Sequence, residues 1–227
     1  GVGQLASGTH YVLDVTGRGG VQSDADAVTV NVTAVDPSDL GYVTAYPCDQ
    51  PRPNASNLNH AHGETVANAV LLPVTANGTV CLFSRARTDL VVDVNAYVPD
   101  RTNAIRAVTP ARLLDTRIGD GIATVDGRQL GQGPVGSAGV ALFALGRGGV
   151  PPGARTVMLT VTATDALAPS YLTIAPCSTG PPNASNVNVI PGQTVANAVI
   201  AEVQDGPPCI WSLYPTHVIV DVNGYSY

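Results

Sequence analysis

The chain has 227 residues, 44% of them hydrophobic and 5% aromatic, with a net charge of −6 and a pI near 4.9. That apolar fraction excludes a disordered chain, and the acidic balance argues against nucleic acid or an anionic membrane surface as partner. No apolar run approaches the roughly 18 residues of a membrane-spanning helix, and all 11 basic residues are Arg, which excludes lysine Schiff bases and lysine–asparagine isopeptide crosslinks.

The chain begins at Gly1 and its only methionine is Met158, so a preceding segment such as a signal peptide is expected. The first predicted strand is HYVLDVTG at 10–17, followed by the turn GRGGV at 17–21. Asp24/Asp26 and Asp36/Asp39 lack the spacing of a calcium loop and read as solvated turns. Between them Val28, Val30, Val32 and Ala34 alternate with Thr29, Asn31 and Thr33, the period of a strand with one buried and one polar face. GYVTAYPC at 41–48 is a further strand ending in Cys48. The heptapeptide PNASNLN at 53–59 reads as an Asn-braced turn, since Asn side chains bond neighbouring backbone and tolerate unusual dihedrals. His60 and His62 would place two imidazoles on one side of a strand, as metal ligands do, but the second copy has Val189 and Pro191 there, so no metal is expected. In TVANAV, Asn68 shares a face with Val66 and Val70 and must be satisfied by hydrogen bonds, bracing a loop. A last strand puts Leu90, Val92 and Val94 on one face and Asp93 and Asn95 on the other.

A shift of 129 residues, then 128 after one deletion, superimposes nearly all of this on the rest of the chain. GRGGV recurs at 146–150, PNASNVN at 182–188, TVANAV at 194–199 and VDVNGY at 220–225. This is an internal duplication. Four cysteines allow three pairings; the duplication favours Cys48–Cys81 and Cys177–Cys209, because the same fold closes the same loop. Each closure would stabilise by about 3–4 kcal/mol in the chain-entropy model, and paired disulfides imply an oxidising compartment. The expected fold is all-β: two tandem Ig-like sandwiches with one disulfide each, at 1–98 and 131–227. Neither has the core Trp of true immunoglobulin domains; Trp211 follows Cys209, and Phe83 holds the matching place in the first copy.

Between the copies, 99–130 is expected to be an extended linker containing ARLLDTRIGDG. There Arg112 and Arg117 flank Asp115, and such pairs can pin an extended strap between domains or subunits. Asn31, Asn54, Asn77 and Asn183 each open an N-x-S/T sequon and are glycosylation candidates. No G-x-S-x-G motif and no free Cys beside a His is found, so an enzyme is not expected, nor is a cofactor.

The motifs RLLDTR, GRGGVP, PNASNLN, GQTVANAV and VVDVNGY together resemble a family of secreted repeats in cell-surface and cell-wall proteins of high-GC bacteria. The chain is also similar, more loosely, to protomers of extracellular filaments built from two tandem Ig-like domains, in which a terminal strand of one subunit completes its neighbour. The resemblance implies a secreted, bacterial cell-surface location. The reading is a structural subunit of an extracellular filament or surface assembly, its partner another copy of itself, polymerising head-to-tail by β-strand complementation. Residues 1–16, with Tyr11, Leu13 and Val15 as the buried set, and 99–130 are the expected assembly segments. The alternative is a carbohydrate- or cell-wall-binding or spacer module of a larger secreted protein, with glycans as partners and Tyr42/Tyr171 and Tyr97/Tyr225 as aromatic candidates.

Overall fold

The computed structural model describes residues 3–99 and 105–227. Residues 1 and 2 of the expected assembly segment and residues 100–104 of the expected linker lie outside the described residues. The chain is all-β, and among the described residues the sole helical element is a 3-10 turn at Cys177–Thr179.

The first sandwich contains β1 (Thr9–Asp14), β2 (Ala25–Val35), β3 (Gly41–Tyr46), β4 (Leu58–His60), β5 (Val66–Pro73), β6 (Thr79–Ser84) and β7 (Asp89–Pro99). One sheet runs β1-β6-β3-β4 and the other β5-β2-β7, all neighbours antiparallel. The second sandwich contains β8 (Ile105–Asp115), β9 (Val140–Ala141), β10 (Thr156–Thr164), β11 (Ser170–Pro176), β12 (Val187–Val189), β13 (Val195–Glu202), β14 (Pro208–Ser212) and β15 (His217–Ser226). Its sheets run β12-β11-β14-β9 and β13-β10-β15-β8. The orders match strand for strand, apart from β8, which has no counterpart among the described residues of the first sandwich.

The valine alternation builds both cores. Val28, Val30, Val32 and Ala34 are buried against Val43, Leu58 and Leu82, and Val157, Leu159, Val161 and Ala163 repeat the pattern around Leu172 and Ile210. The disulfides are Cys48–Cys81 and Cys177–Cys209, as the duplication predicts. Asp36 and Asp165, at matching positions after β2 and β10, turn the chain through positive φ (46° and 51°), which short polar side chains tolerate.

The linker expectation needs correction. Residues 105–115 form a full strand of the second sandwich, paired along β15 from Ser226 to Ile219. Residues beyond it are tied back: the Asp115 N–H donates to the Gln129 carbonyl, the Val125 N–H to the Arg112 carbonyl, and Arg147 grips Asp126. Satisfying the free edge of β15 with backbone hydrogen bonds outweighs leaving this segment in solvent.

Candidate assembly interface

The two Asn-rich heptapeptides do the same local work. The Asn57 Oδ1 accepts from the Ala45 N–H (2.8 Å) and Thr44 Oγ1 donates to the Ala55 carbonyl (2.7 Å). Asn186 Oδ1 with Ile174 N–H (2.8 Å) and Thr173 Oγ1 with the Ala184 carbonyl repeat both bonds. Asn68 and Asn197 brace these loops from the neighbouring strand, donating to the carbonyls of Asn57 (2.7 Å) and Asn186 (2.8 Å). The expected Asn-braced turn is present in both copies.

Their surroundings differ. The loop of the first copy lies on the second sandwich. The Ser56 N–H donates to Asp221 Oδ2 (3.1 Å), Asn57 Nδ2 to Asn223 Oδ1 (3.2 Å), and the Ala198 N–H to Asn68 Oδ1 (3.1 Å). Leu71 packs toward Gly224, whose hydrogen leaves room for it: an added Cβ would meet Leu71 Cδ2 at 2.8 Å. Arg106 adds an ion pair to Asp26 across the joint (2.7 Å). Consequently Thr160, Thr162, Asp221 and Asn223, which alternation assigns to an outward polar face, are buried. Asp221 and Asn223 are covered by the Ser56–Asn57 loop of the first sandwich.

Asp221 is the centre of the joint. Arg112 reaches it with Nε and Nη2 (2.9 and 3.2 Å) and also touches Asp115 (3.4 Å). Arg117 holds Asp115 with Nε and Nη2 (3.0 and 2.7 Å). The RLLDTR motif is thus a ladder of charges along β8, and sequence reading missed its main partner, Asp221, because that residue lies 109 positions away. Burial opposes both charges. It pushes the Asp221 carboxyl up against the pull of Arg112 and Ser56, and it opposes the Arg112 charge too, but there the attraction of Asp221 and Asp115 wins and holds the guanidinium above its usual value. The two directions conflict over whether the pair is charged. The bidentate geometry and the third bond from Ser56 favour the ion pair.

The joint is heterologous: the Asn-loop face of one sandwich meets the Asp/Asn face of the other. Each face recurs, uncovered, on the opposite sandwich. Asn197 and Ser185 are exposed and Asn186 half-exposed, where Asn68, Ser56 and Asn57 are buried. Ile200, the counterpart of Leu71, is 71% exposed. Asp93, Asn95 and Ala96, counterparts of Asp221, Asn223 and Gly224, are exposed too.

Tyr11 and Leu13 are half-buried in β1, which pairs with β6 of its own sandwich, and Val15 is in that core. Asn54, Asn77 and Asn183 are exposed; Asn31 is half-buried on the outer face of β2, bonded to Thr33. His60 is buried in β4 and His62 lies in the exposed turn beyond it. Among the described residues no three His, Cys, Asp or Glu side chains converge as metal ligands. Tyr42 is half-buried beside Phe83; Arg52 stacks on Phe83 at 4.0 Å and donates to the Tyr42 hydroxyl (3.2 Å), while Tyr225 packs edge-on to Tyr227. Tyr97 is half-buried against the first core and Tyr171 is 38% exposed on β11. Comparison of the chain with protein-family models, curated proteins and solved structures finds no match.

Proposed function

We propose that this protein is a structural subunit of an extracellular filament or surface assembly that grows head-to-tail. The observation that carries the reading is the heterologous joint between the two sandwiches, whose two complementary faces are both repeated and uncovered at opposite ends of the molecule. A contact of this kind does not close on itself and propagates into a fibre. In the next contact Ser185, Asn186, Asn197 and Ile200 of one copy would meet Asp93, Asn95 and Ala96 of another. Strand complementation at β7 would complete the second of these faces, as β8 completes its counterpart.

Two disulfides support secretion, and the resemblance to bacterial cell-surface repeats supports a location there; no helix among the described residues is long and apolar enough to cross a membrane. Glycans on Asn77 would be compatible with growth, whereas glycans on Asn31 or Asn183 would stand on the growing faces. The alternative, a carbohydrate- or cell-wall-binding module, asks for an open aromatic platform; of the tyrosines named for it Tyr171 is exposed on β11, while Tyr42, Tyr97 and Tyr225 are half-buried.

The test is electron microscopy and sedimentation of the protein at near-neutral pH over a concentration series. Ordered polymers are expected, and Ile200→Asp is expected to abolish them while leaving the monomer's thermal transition unchanged. A wild-type chain that stays monomeric at every concentration would sink the assembly reading.

A further inference from the structure

The duplication makes each sandwich a reference for the other, and they differ where an aromatic pair stands on matching strands. In the first, Tyr42 on β3 and Phe83 on β6 are neighbours, with ring centroids 5.9 Å apart. Arg52 closes over them. Its guanidinium lies 4.0 Å from the centroid of the Phe83 ring and donates to the Tyr42 hydroxyl (3.2 Å). A guanidinium is drawn to the negative face of a ring, and its planar fork keeps N–H groups free for an acceptor beside it. Tyr42 and Phe83 thus make a seat for one arginine.

The second sandwich keeps the seat and lacks the arginine. Tyr171 on β11 and Trp211 on β14 hold the positions of Tyr42 and Phe83. Pro181, which carries no charge, holds the position of Arg52. A cleft of about 120 Å³ is open there, lined by Tyr171, Thr173, Pro181, Pro182, Trp211 and Leu213. The backbone at Gly139 lies against the indole and fixes it: an added Cβ would stand 2.6 Å from its Cδ1 and Nε1. Ordinary small-molecule pockets run to about 300–1,000 Å³, so the cleft admits the head of one side chain and not a whole sugar ring with its neighbours. Tyr171 also borders a more open groove of about 310 Å³, lined by Pro169, Ile190 and Gln193 among others.

We infer that this cleft is a binding site for an arginine side chain presented by another protein. The guanidinium takes the place that Arg52 holds in the first sandwich, stacked on Trp211 and donating to the Tyr171 hydroxyl. Trp holds a cation more strongly than Phe does, so the second seat is the better of the two. Lysine fits less well, because its ammonium is compact and strongly hydrated and cannot both lie flat on a ring and donate beside it. The net charge of −6 favours the approach of a cationic partner. Leu213 and Pro182 cover the methylene stem, and the groove along Ile190 receives the residues that flank the arginine, which is why the occupant is a polypeptide and not the free amino acid. The next copy in the proposed polymer presents Asp93, Asn95 and Ala96, acidic or neutral, so the partner is a different protein. The seat itself is read from its duplicate and stands or falls apart from the assembly reading.

The experiment follows the emission of Trp211, the only tryptophan, as the full chain is titrated with the peptide acetyl-Gly-Leu-Arg-Leu-Gly-amide. The same peptide is made with lysine or with citrulline, which keeps the shape of arginine without its charge. A saturable change is expected with the arginine peptide, and binding weaker by roughly tenfold or more with the other two. Tyr171→Phe should weaken the arginine peptide several-fold, as loss of one hydrogen bond does. Pro181→Arg fills the cleft from within, as Arg52 fills its counterpart, and should abolish binding without lowering the thermal transition. Arg52→Pro should open the matching cleft, with new peptide-dependent amide shifts around Tyr42 and Phe83. The proposal is overturned by no saturable change, by citrulline binding as well as arginine, or by Pro181→Arg leaving binding intact. Arginine amide binding as tightly as the peptide would overturn a polypeptide occupant, and loss of self-association in Pro181→Arg would overturn a separate partner in favour of a second copy.

Discussion

At the scale of single residues, His60 is the clearest cost the first copy carries. Its ring is buried beside Gly41, neither ring nitrogen has a protein hydrogen-bond partner by geometry, and Val189 holds the same place in the second copy. Burial lowers its pKa, with weaker opposing pulls from the Asp39 backbone and Glu64. The unfolded imidazole takes a proton near pH 6.5, the folded one only at lower pH, so the first sandwich loses stability as pH falls below about 6.5. His60→Val removes that loss. Denaturant midpoints should favour the variant progressively from pH 8 to pH 5.5; parallel curves for the two proteins would refute a buried neutral ring.

At the scale of elements, β8 is a strand whose charges matter as much as its backbone. Its Arg112 neutralises Asp221, which has no solvent exposure. Truncating one partner leaves the other charge buried, at a cost of about 3–5 kcal/mol, whereas replacing both by apolar groups is far milder. Arg112→Met should therefore destabilise the second sandwich by that amount, and Arg112→Met with Asp221→Leu should recover most of it. Trp211, the only tryptophan, lies in β14 of that sandwich and reports its guanidinium unfolding. Equal losses in the single and double variants would mean that the pair does not govern how β8 is held.

At the scale of the whole molecule, the two sandwiches are joined by small, polar, repeatable contacts around one apolar plug, Leu71 at Gly224. Leu71→Asp should cost the joint about 2 kcal/mol of burial. Scattering should then give a larger radius of gyration, and the two sandwiches should melt independently. Its counterpart Ile200→Asp should leave the isolated molecule's shape unchanged. If Leu71→Asp kept the wild-type shape, the polar bonds of Ser56, Asn57 and Asn68 would suffice to hold the joint.

Much of this architecture is local and therefore legible. Valine alternation specifies strands because side chains switch faces every residue, and a duplicated chain must close the same cysteine loop twice, so the sandwiches and both disulfides follow from the one-dimensional pattern. The Asn-braced turn is legible for the same reason, since its bonds reach only neighbouring strands. What tertiary structure alone decided is the partnership of residues far apart. RLLDTR looks like a linker motif until β15 offers it an unsatisfied edge and a buried carboxylate. Asp93 and Asp221 sit in nearly identical words, VVDVN and IVDVN, yet one is in solvent and the other at the centre of a joint. Burial is set by what lies across the contact, and no periodicity within a single strand encodes it.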